Sequence, residues 1–328
     1  MRSLLVSHLG SFEGVSLQEV DTPEPDQAEV TIRVEATSLK FVDLLTIKGQ
    51  YQFTPPLPYI PGKGAAGVVT AVGSGVQRVA VGDRVLGMCE YGGFAEFVSV
   101  EENSTYTMPG GLSFDQAATM AVAYDTAWIA LRERACLEQG ETVLVLGASG
   151  AVGRAAVQIA KAHGAMTVLA GTSSPEANQE LLSVGADALI DTSVPDLRNA
   201  LREQVYAALD GGAVDVAIDP VGGQVFDAAI RALSWNGRLV IVGFASGVIP
   251  SVKANYLMLK NIGLSGLQIS DYRRYKKALM KRCFDDLFSL FEQEQIVVPD
   301  CVRFDLTNWE QAFESFTSGR ARTVVLNP

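Results

Sequence analysis

The sequence predicts an α/β fold, a doubly wound parallel sheet joined to a β-rich N-terminal region, and three observations predict it. Residues 141–164, ETVLVLGASGAVGRAAVQIAKAHG, run from an apolar β-type segment through three glycines into helically spaced apolar residues. From there to residue 244, strand-like and helix-like segments alternate. Residues 1–120 differ: short β-type runs are separated by glycine and proline turns, with little helical periodicity. Repeated strand–helix units with apolar strands demand a parallel sheet covered by helices on both faces, because that arrangement buries both sides of each strand.

In chain order, the clearest N-terminal strands are residues 30–34 (VTIRV), 67–72 (GVVTAV), 84–87 and 94–100 (FAEFVSV). Gly73-Ser74-Gly75, Gly82-Asp83 and Gly92-Gly93 punctuate them as turns. Pro55, Pro56, Pro58 and Pro61 hold an extended segment, since proline lacks the amide donor and keeps the preceding residue out of the helical region. Residues 113–134 are alanine-rich with helical spacing and lead into the glycine stretch. Strands follow at 142–146, 166–170, 187–190, 214–218 and 237–244, with later helices at 176–184, 196–209 and 223–233. The C-terminal stretch mixes helix and strand: an amphipathic helix at 282–293, whose Phe284, Leu287, Leu290 and Phe291 stripe is core packing, and a final strand at 322–326.

Gly147, Gly150 and Gly153 stand between an apolar strand and a helix. In that context glycines let the backbone turn tightly and approach a pyrophosphate, whose charge the unpaired N–H groups of the helix start stabilise. The spacing is GxxGxxG rather than the generic GxGxxG. A glycine turn without a ligand is the alternative, and the flanking strand and helix favour a nucleotide.

The totals exclude several classes. A chain of 328 residues suggests two domains and is long enough for a large core. Hydrophobic residues at 48% and charged ones at 19% exclude a disordered chain. A net charge of −11 without any Lys/Arg-rich run argues against nucleic acid as partner. Cys89, Cys136, Cys283 and Cys301 lie far apart with no CxxC or Cys–His spacing, the pattern of reduced thiols in a cytoplasmic protein. Neither a signal peptide nor an apolar run of membrane-spanning length is evident, so no membrane partner is expected.

Several phrases read together resemble the zinc-free quinone oxidoreductase branch of the medium-chain dehydrogenase/reductase superfamily. They are LPYIPGKGAAGVVTAVGSGV, VGDRV, GGFAEFVSV, GASGAVG, LLSVGAD, VDVAIDPVGG and NGRLVIVGFASG, and they span most of the chain in the family's order. The resemblance implies a Rossmann doubly wound sheet over residues 121–264, inserted into a GroES-like β-rich catalytic domain of residues 1–120 completed by 265–328. It implies NADPH in the cleft, gripped by Thr126, by Gly150, Ala151, Val152 and Gly153, and by the turn holding Gly243, Phe244 and Ala245. A homodimer paired edge to edge through the last Rossmann strands is also implied. The reaction implied is metal-free hydride transfer to a quinone, with an enone or 2-enoyl thioester as alternative acceptor. A nucleotide-binding sensor or structural protein without turnover is the reading from another class.

Departures from the family bear on the chemistry. Zinc-dependent relatives carry Cys in place of Lys40 and His-Glu in place of Lys63-Gly64, and lysine is no ligand beside another cation, so no metal is expected. Relatives without zinc usually have Asn at Lys40; Tyr51 stands where they often have a cleft tyrosine, whereas Leu45 replaces another. Lys40 or Lys63 is therefore a candidate source of positive charge for the oxygen that becomes anionic as hydride arrives, and Tyr51 a candidate hydrogen-bond donor or proton source. The structural alternative pairs Lys63 with Asp43 and leaves Lys40 in solvent.

Cofactor choice is read after the second strand of the sheet, where an NAD-selective protein places Asp or Glu on the ribose 2′-hydroxyl. Here Leu169-Ala170-Gly171-Thr172-Ser173-Ser174 carries no carboxylate, and the hydroxyls of Thr172, Ser173 and Ser174 suit a 2′-phosphate. The lysine that similar proteins carry slightly further on is absent, with Ala177 in its place, and Thr-Ser-Ser-Pro also reads as a helix cap. The missing acid favours NADPH over NADH.

Overall fold

The computed structural model describes residues 1–328. In chain order they form β1 (Arg2–Val6), β2 (Val15–Glu19), β3 (Glu29–Ser38), α1 (Phe41–Ile47), β4 (Ala65–Val72), β5 (Arg84–Gly87), β6 (Phe97–Glu101), β7 (Thr105–Thr107) and α2 (Phe114–Met120). Next come α3 (Ala123–Ile129), β8 (Thr142–Val145), α4 (Ala151–Ala162), β9 (Thr167–Thr172), α5 (Glu180–Ser183), β10 (Ala188–Asp191) and α6 (Leu197–Ala208). They are followed by β11 (Val214–Asp219), α7 (Gly223–Ala232), β12 (Leu233–Ile241), α8 (Ala254–Lys260) and β13 (Gly263–Gly266). The chain ends with α9 (Ile269–Tyr275), α10 (Lys277–Glu292), β14 (Val302–Asp305), α11 (Trp309–Thr317) and β15 (Val324–Asn327).

These elements divide between two units. The first comprises Met1–Val122, Ser270–Glu292 and Val298–Pro328. Its main sheet runs β14-β15-β3-β4-β5-β7, with β6 on β3. Alternation explains the long central strand: Val30, Ile32 and Val34 of β3 point into one core with Val69, Val85, Val98 and Val100. The other end of β3 pairs with the last strand, Ser38 opposite Val325 and Thr37 opposite Leu326. The aromatic stripe of α10 is core, as expected: Phe284 and Leu287 are fully buried, and Phe284 stacks on Tyr106 at 4.2 Å between centroids.

The second unit comprises Ala123–Ile269 and Gln293–Val297. Its sheet is entirely parallel, ordered β10-β9-β8-β11-β12-β13. β8 is buried along its whole length, which explains its uninterrupted apolar sequence TVLV. After β8 the chain steps outward through β9 and β10, then returns to β11 on the other side. The strand order therefore reverses between β8 and β11, and the turns leaving these two strands diverge at their C-terminal ends.

Three local differences from the sequence reading have physical causes. The expected helix over 113–134 is broken: α2 ends at Met120, Val122 takes φ +69°, and α3 begins at Ala123, where the chain passes from the first unit to the second. The expected helix over 176–184 is reduced to a 3₁₀ turn, Glu176–Asn178, and the four-residue α5. There the Asn178 side chain donates back to Thr172 Oγ1 and Ser174 O at 3.0 and 2.7 Å, competing with the helical ladder. Finally, β9 extends through Thr172, so the hydroxyl cluster begins on a strand rather than after it.

Candidate active site

The glycine stretch of the second unit forms a tight strand-to-helix turn. Gly147 adopts φ +56°, a conformation in which L side chains are strained, and a Cβ there would stand 2.8 Å from Val221 Cγ2. Gly150 is the N-cap of α4 and donates its N–H to Gly147 O at 3.0 Å. Gly153 is buried in the first turn, where a Cβ would meet Gly147 O at 2.2 Å. The helix start is thus drawn onto the turn, and its first N–H groups have no intrahelical acceptors. No side chain caps them, and Gly150 and Ala151 are exposed. Val152 is half-buried. This is a cradle that side chains would fill, and it fits a pyrophosphate.

Two neighbouring turns are locked beside it. Asp219, fully buried at the end of β11, accepts N–H bonds from Val221 and Gly222 at 2.8 and 3.0 Å. Burial nevertheless keeps its carboxyl above its ordinary value. Ala245 and Ser246 donate their N–H groups to Pro220 O and Val221 O, both at 3.0 Å, which positions Gly243, Phe244 and Ala245. Phe244 is 39% exposed. Thr126 lies buried on α3, its N–H bonded to Asp125 Oδ1 at 2.9 Å. Among the three hydroxyl residues, Thr172 is buried and its Oγ1 accepts from Asn178, whereas Ser173 and Ser174 are exposed.

In the first unit, the two lysines have separate surroundings. Lys40 is buried, and its Nζ donates to the carbonyls of Ala118 and Thr119 at 3.1 and 2.9 Å. Those carbonyls belong to the last turn of α2, where a cation meets the negative end of the helix dipole. The Lys40 N–H donates to Asp43 Oδ2 at 2.9 Å, fastening the start of α1.

Lys63 sits between Gly62 and Gly64, both at positive φ, so the chain is kinked on either side of it. Its Nζ donates to Glu90 Oε2 at 2.5 Å and to Glu90 O at 3.1 Å, and lies 5.3 Å from the centroid of the Tyr51 ring. The ion-pair partner of Lys63 is therefore Glu90, whereas Asp43 takes a backbone bond from Lys63 and feels its charge; Lys40 is not in solvent. Glu90 also accepts from Ser270 at 2.8 Å and Arg273 at 3.2 Å. Burial opposes charge on Glu90, but Arg273 and Lys63 outweigh it and lower the carboxyl to about 2. Asp43, by contrast, is raised to about 6 by burial, with Lys63 opposing. Burial likewise pushes Cys89, the neighbour of Glu90, up to about 11, so its thiol is not a nucleophile.

Known proteins place this arrangement. Residues 26–110 match the family described as alcohol dehydrogenase GroES-like domain, and residues 151–284 match the family described as zinc-binding dehydrogenase. Quinone oxidoreductase-like protein 2 of Bos taurus is 36% identical over 311 residues, covering 94% of this chain and 88% of its own. The chain belongs to the quinone oxidoreductase branch of the medium-chain dehydrogenase/reductase superfamily. The crystal structure of Escherichia coli quinone oxidoreductase complexed with NADPH matches with TM-score 0.88 and 26% identity over the whole of both chains. CurK enoyl reductase matches with TM-score 0.87 and 25% identity, over 99% of this chain and 98% of that one.

A zinc ion, which one matched family's description names, does not fit this quinone oxidoreductase-type chain. Ammonium groups stand at the positions of Lys40 and Lys63, and no group of three His, Cys, Asp or Glu side chains is placed to hold a metal ion. The sequence reading missed Glu90, Arg273, Asp219 and Asn178. Glu90 and Arg273 meet across a long sequence separation that spacing does not encode. Asp219 was more accessible, because an Asp closing an apolar strand before Pro-Val-Gly-Gly signals a side chain that caps the turn.

Proposed function

We propose that the protein is an NADPH-dependent oxidoreductase that delivers hydride to a quinone without metal. The observation carrying this reading is the Gly147–Gly153 cradle at the strand-order reversal of a parallel sheet, in a chain of this superfamily. The pyrophosphate would rest on the N–H groups of Gly150, Ala151, Val152 and Gly153. The exposed hydroxyls of Ser173 and Ser174 would donate to a 2′-phosphate, with Thr172 and Asn178 fixing that corner from within. The turn Gly243-Phe244-Ala245 and Thr126 would flank the nicotinamide end.

When bound, the reduced nicotinamide supplies the hydride. What this chain must add is stabilisation of the oxygen that becomes anionic. Tyr51, half-buried with its ring against the Lys63 ammonium, suits donation of a hydrogen bond or proton to that oxygen. Lys63 is 3% exposed and acts behind that ring through its field rather than by contact. Lys40 is assigned to the fold, because its ammonium is taken up by the end of α2.

An enone or 2-enoyl thioester acceptor is the second reading, favoured by the likeness to CurK enoyl reductase, since the same developing oxyanion must be met. NADPH oxidation scanned across quinones, enones and enoyl thioesters separates the two. Tyr51→Phe and Lys63→Met are each expected to lower kcat by about 10- to 100-fold with NADPH affinity unchanged. Unchanged turnover in both variants would remove Tyr51 and Lys63 from the chemistry. Tighter binding of NADH than NADPH would overturn the cofactor assignment.

A homodimer is part of the same proposal. β13 pairs with β12 on one side only, and Ile249, Met258 and Leu259 nearby in the chain are 74%, 72% and 71% exposed.

A further inference from the structure

The second unit gathers positive charge away from the glycine turn. Arg198 of α6, Arg231 of α7 and Lys253, just before α8, line one concave pocket of about 400 Å³ together with Ser251, Asn255 and Tyr256. Two further cations stand beside these elements. Lys260 Nζ donates to the carbonyls of Arg231 and Leu233 at 3.2 and 2.7 Å, and the Arg202 guanidinium lies 4.8 Å from the Tyr206 ring centroid.

None of these five cations holds a carboxylate, whereas Arg154, Lys161 and Arg238 of the same unit each do. In a chain of net charge −11 that imbalance is local and specific. Asp227 is the one carboxylate in the pocket wall, and it forms no ion pair with Arg231 although i,i+4 spacing on α7 would allow one. Arg231 Nε is buried without an acceptor. Lys260 is held below its ordinary value, first by burial, with Arg202 and Arg231 adding to it against Tyr206. Arg202 and Arg231 thus lie close enough to Lys260 for their charges to act on it, which draws the five cations into one neighbourhood.

We infer that this pocket binds a small phosphorylated polyol or sugar. Guanidinium groups match phosphate oxygens in a fork, and an ammonium adds a point charge. Asp227 accepts a hydroxyl of the same ligand, which a bare anion would lack. The hydroxyls of Ser251 and Tyr256 and the amide of Asn255 supply further hydrogen bonds, and the volume falls in the range of small-ligand sites. The pocket shares no lining residue with the Gly147–Gly153 cradle, the Thr172–Ser174 cluster or the Gly243–Ala245 turn. It is therefore separate from the proposed dinucleotide site.

The probe is glycerol 3-phosphate, titrated calorimetrically into the full chain with and without saturating NADPH. Binding is expected in both conditions and should weaken as salt rises. The double variant Arg198→Glu/Lys253→Glu reverses two exposed charges, and circular dichroism checks its fold. It should bind glycerol 3-phosphate at least about tenfold more weakly while its NADPH affinity is unchanged. No binding to the natural chain, equal affinity in the folded variant, or competition by NADPH would each overturn the inference. Glycerol 3-phosphate binding without any NADPH binding would sink the oxidoreductase proposal and leave this pocket standing.

Discussion

Glu90, half-buried, and Asp43, fully buried, are two carboxylates near the same lysine, yet their environments move them in opposite directions. Glu90 is lowered from 4.5 to about 2, so between those values the unfolded chain binds more protons and stability rises with pH. Asp43 is raised from 3.8 to about 6, so across that window the folded chain binds more protons and stability falls as pH rises. Urea midpoints measured over a pH series should therefore show a rise that Glu90→Gln removes and a decline that Asp43→Asn removes. Variants with the same pH dependence as the natural chain would contradict these assignments. At this scale the sequence was only partly legible. Lys63 was identifiable as the residue standing in for a ligand, but its partner was not, since Glu90 reaches it across a fold that local spacing does not describe.

The strand-to-helix turn separates a structural glycine from a ligand-facing one. Gly153→Ala places a Cβ 2.2 Å from Gly147 O and should cost about 1–3 kcal/mol of stability, read by chemical denaturation. Gly150→Ala meets nothing closer than 3.3 Å, so stability should hold while a fluorescence titration shows NADPH binding at least about tenfold weaker. The reverse pattern would mean that Gly150 does not face a pyrophosphate. The alternating strands and helices of this unit were readable because strands buried on both faces are written as apolar runs, as in TVLV of β8. The helices α1, α8 and α9 were not, since seven residues give too few turns for a period to emerge. The break at Val122 was invisible for another reason. The alanine-rich composition is equally good for one helix or two, and the chain's passage between units decides the matter.

For the whole molecule, the open edge of β13 and the exposed apolar residues before it predict self-association. Sedimentation should give twice the 35.0 kDa chain mass, and Met258→Glu with Leu259→Glu should shift it to the monomer. A natural chain sedimenting as monomer at micromolar concentration would end that expectation. The strands near both ends of the sequence were legible as strands, but their partnership was not, because nothing in VTIRV or TVVLNP announces the other. That partnership bears on how the protein is made. β6 covers the first half of that edge of β3, but Thr37 and Ser38 at its end gain a strand partner only when Val325 and Leu326 leave the ribosome, nearly the whole chain later. The parallel sheet draws all six strands from one continuous intervening segment and can assemble during translation. Synthesis therefore leaves this end of β3 waiting while β1 and β2 pair early, and a nascent chain stalled before β15 would expose Thr37 and Ser38 to chaperones or to its neighbours on the polysome.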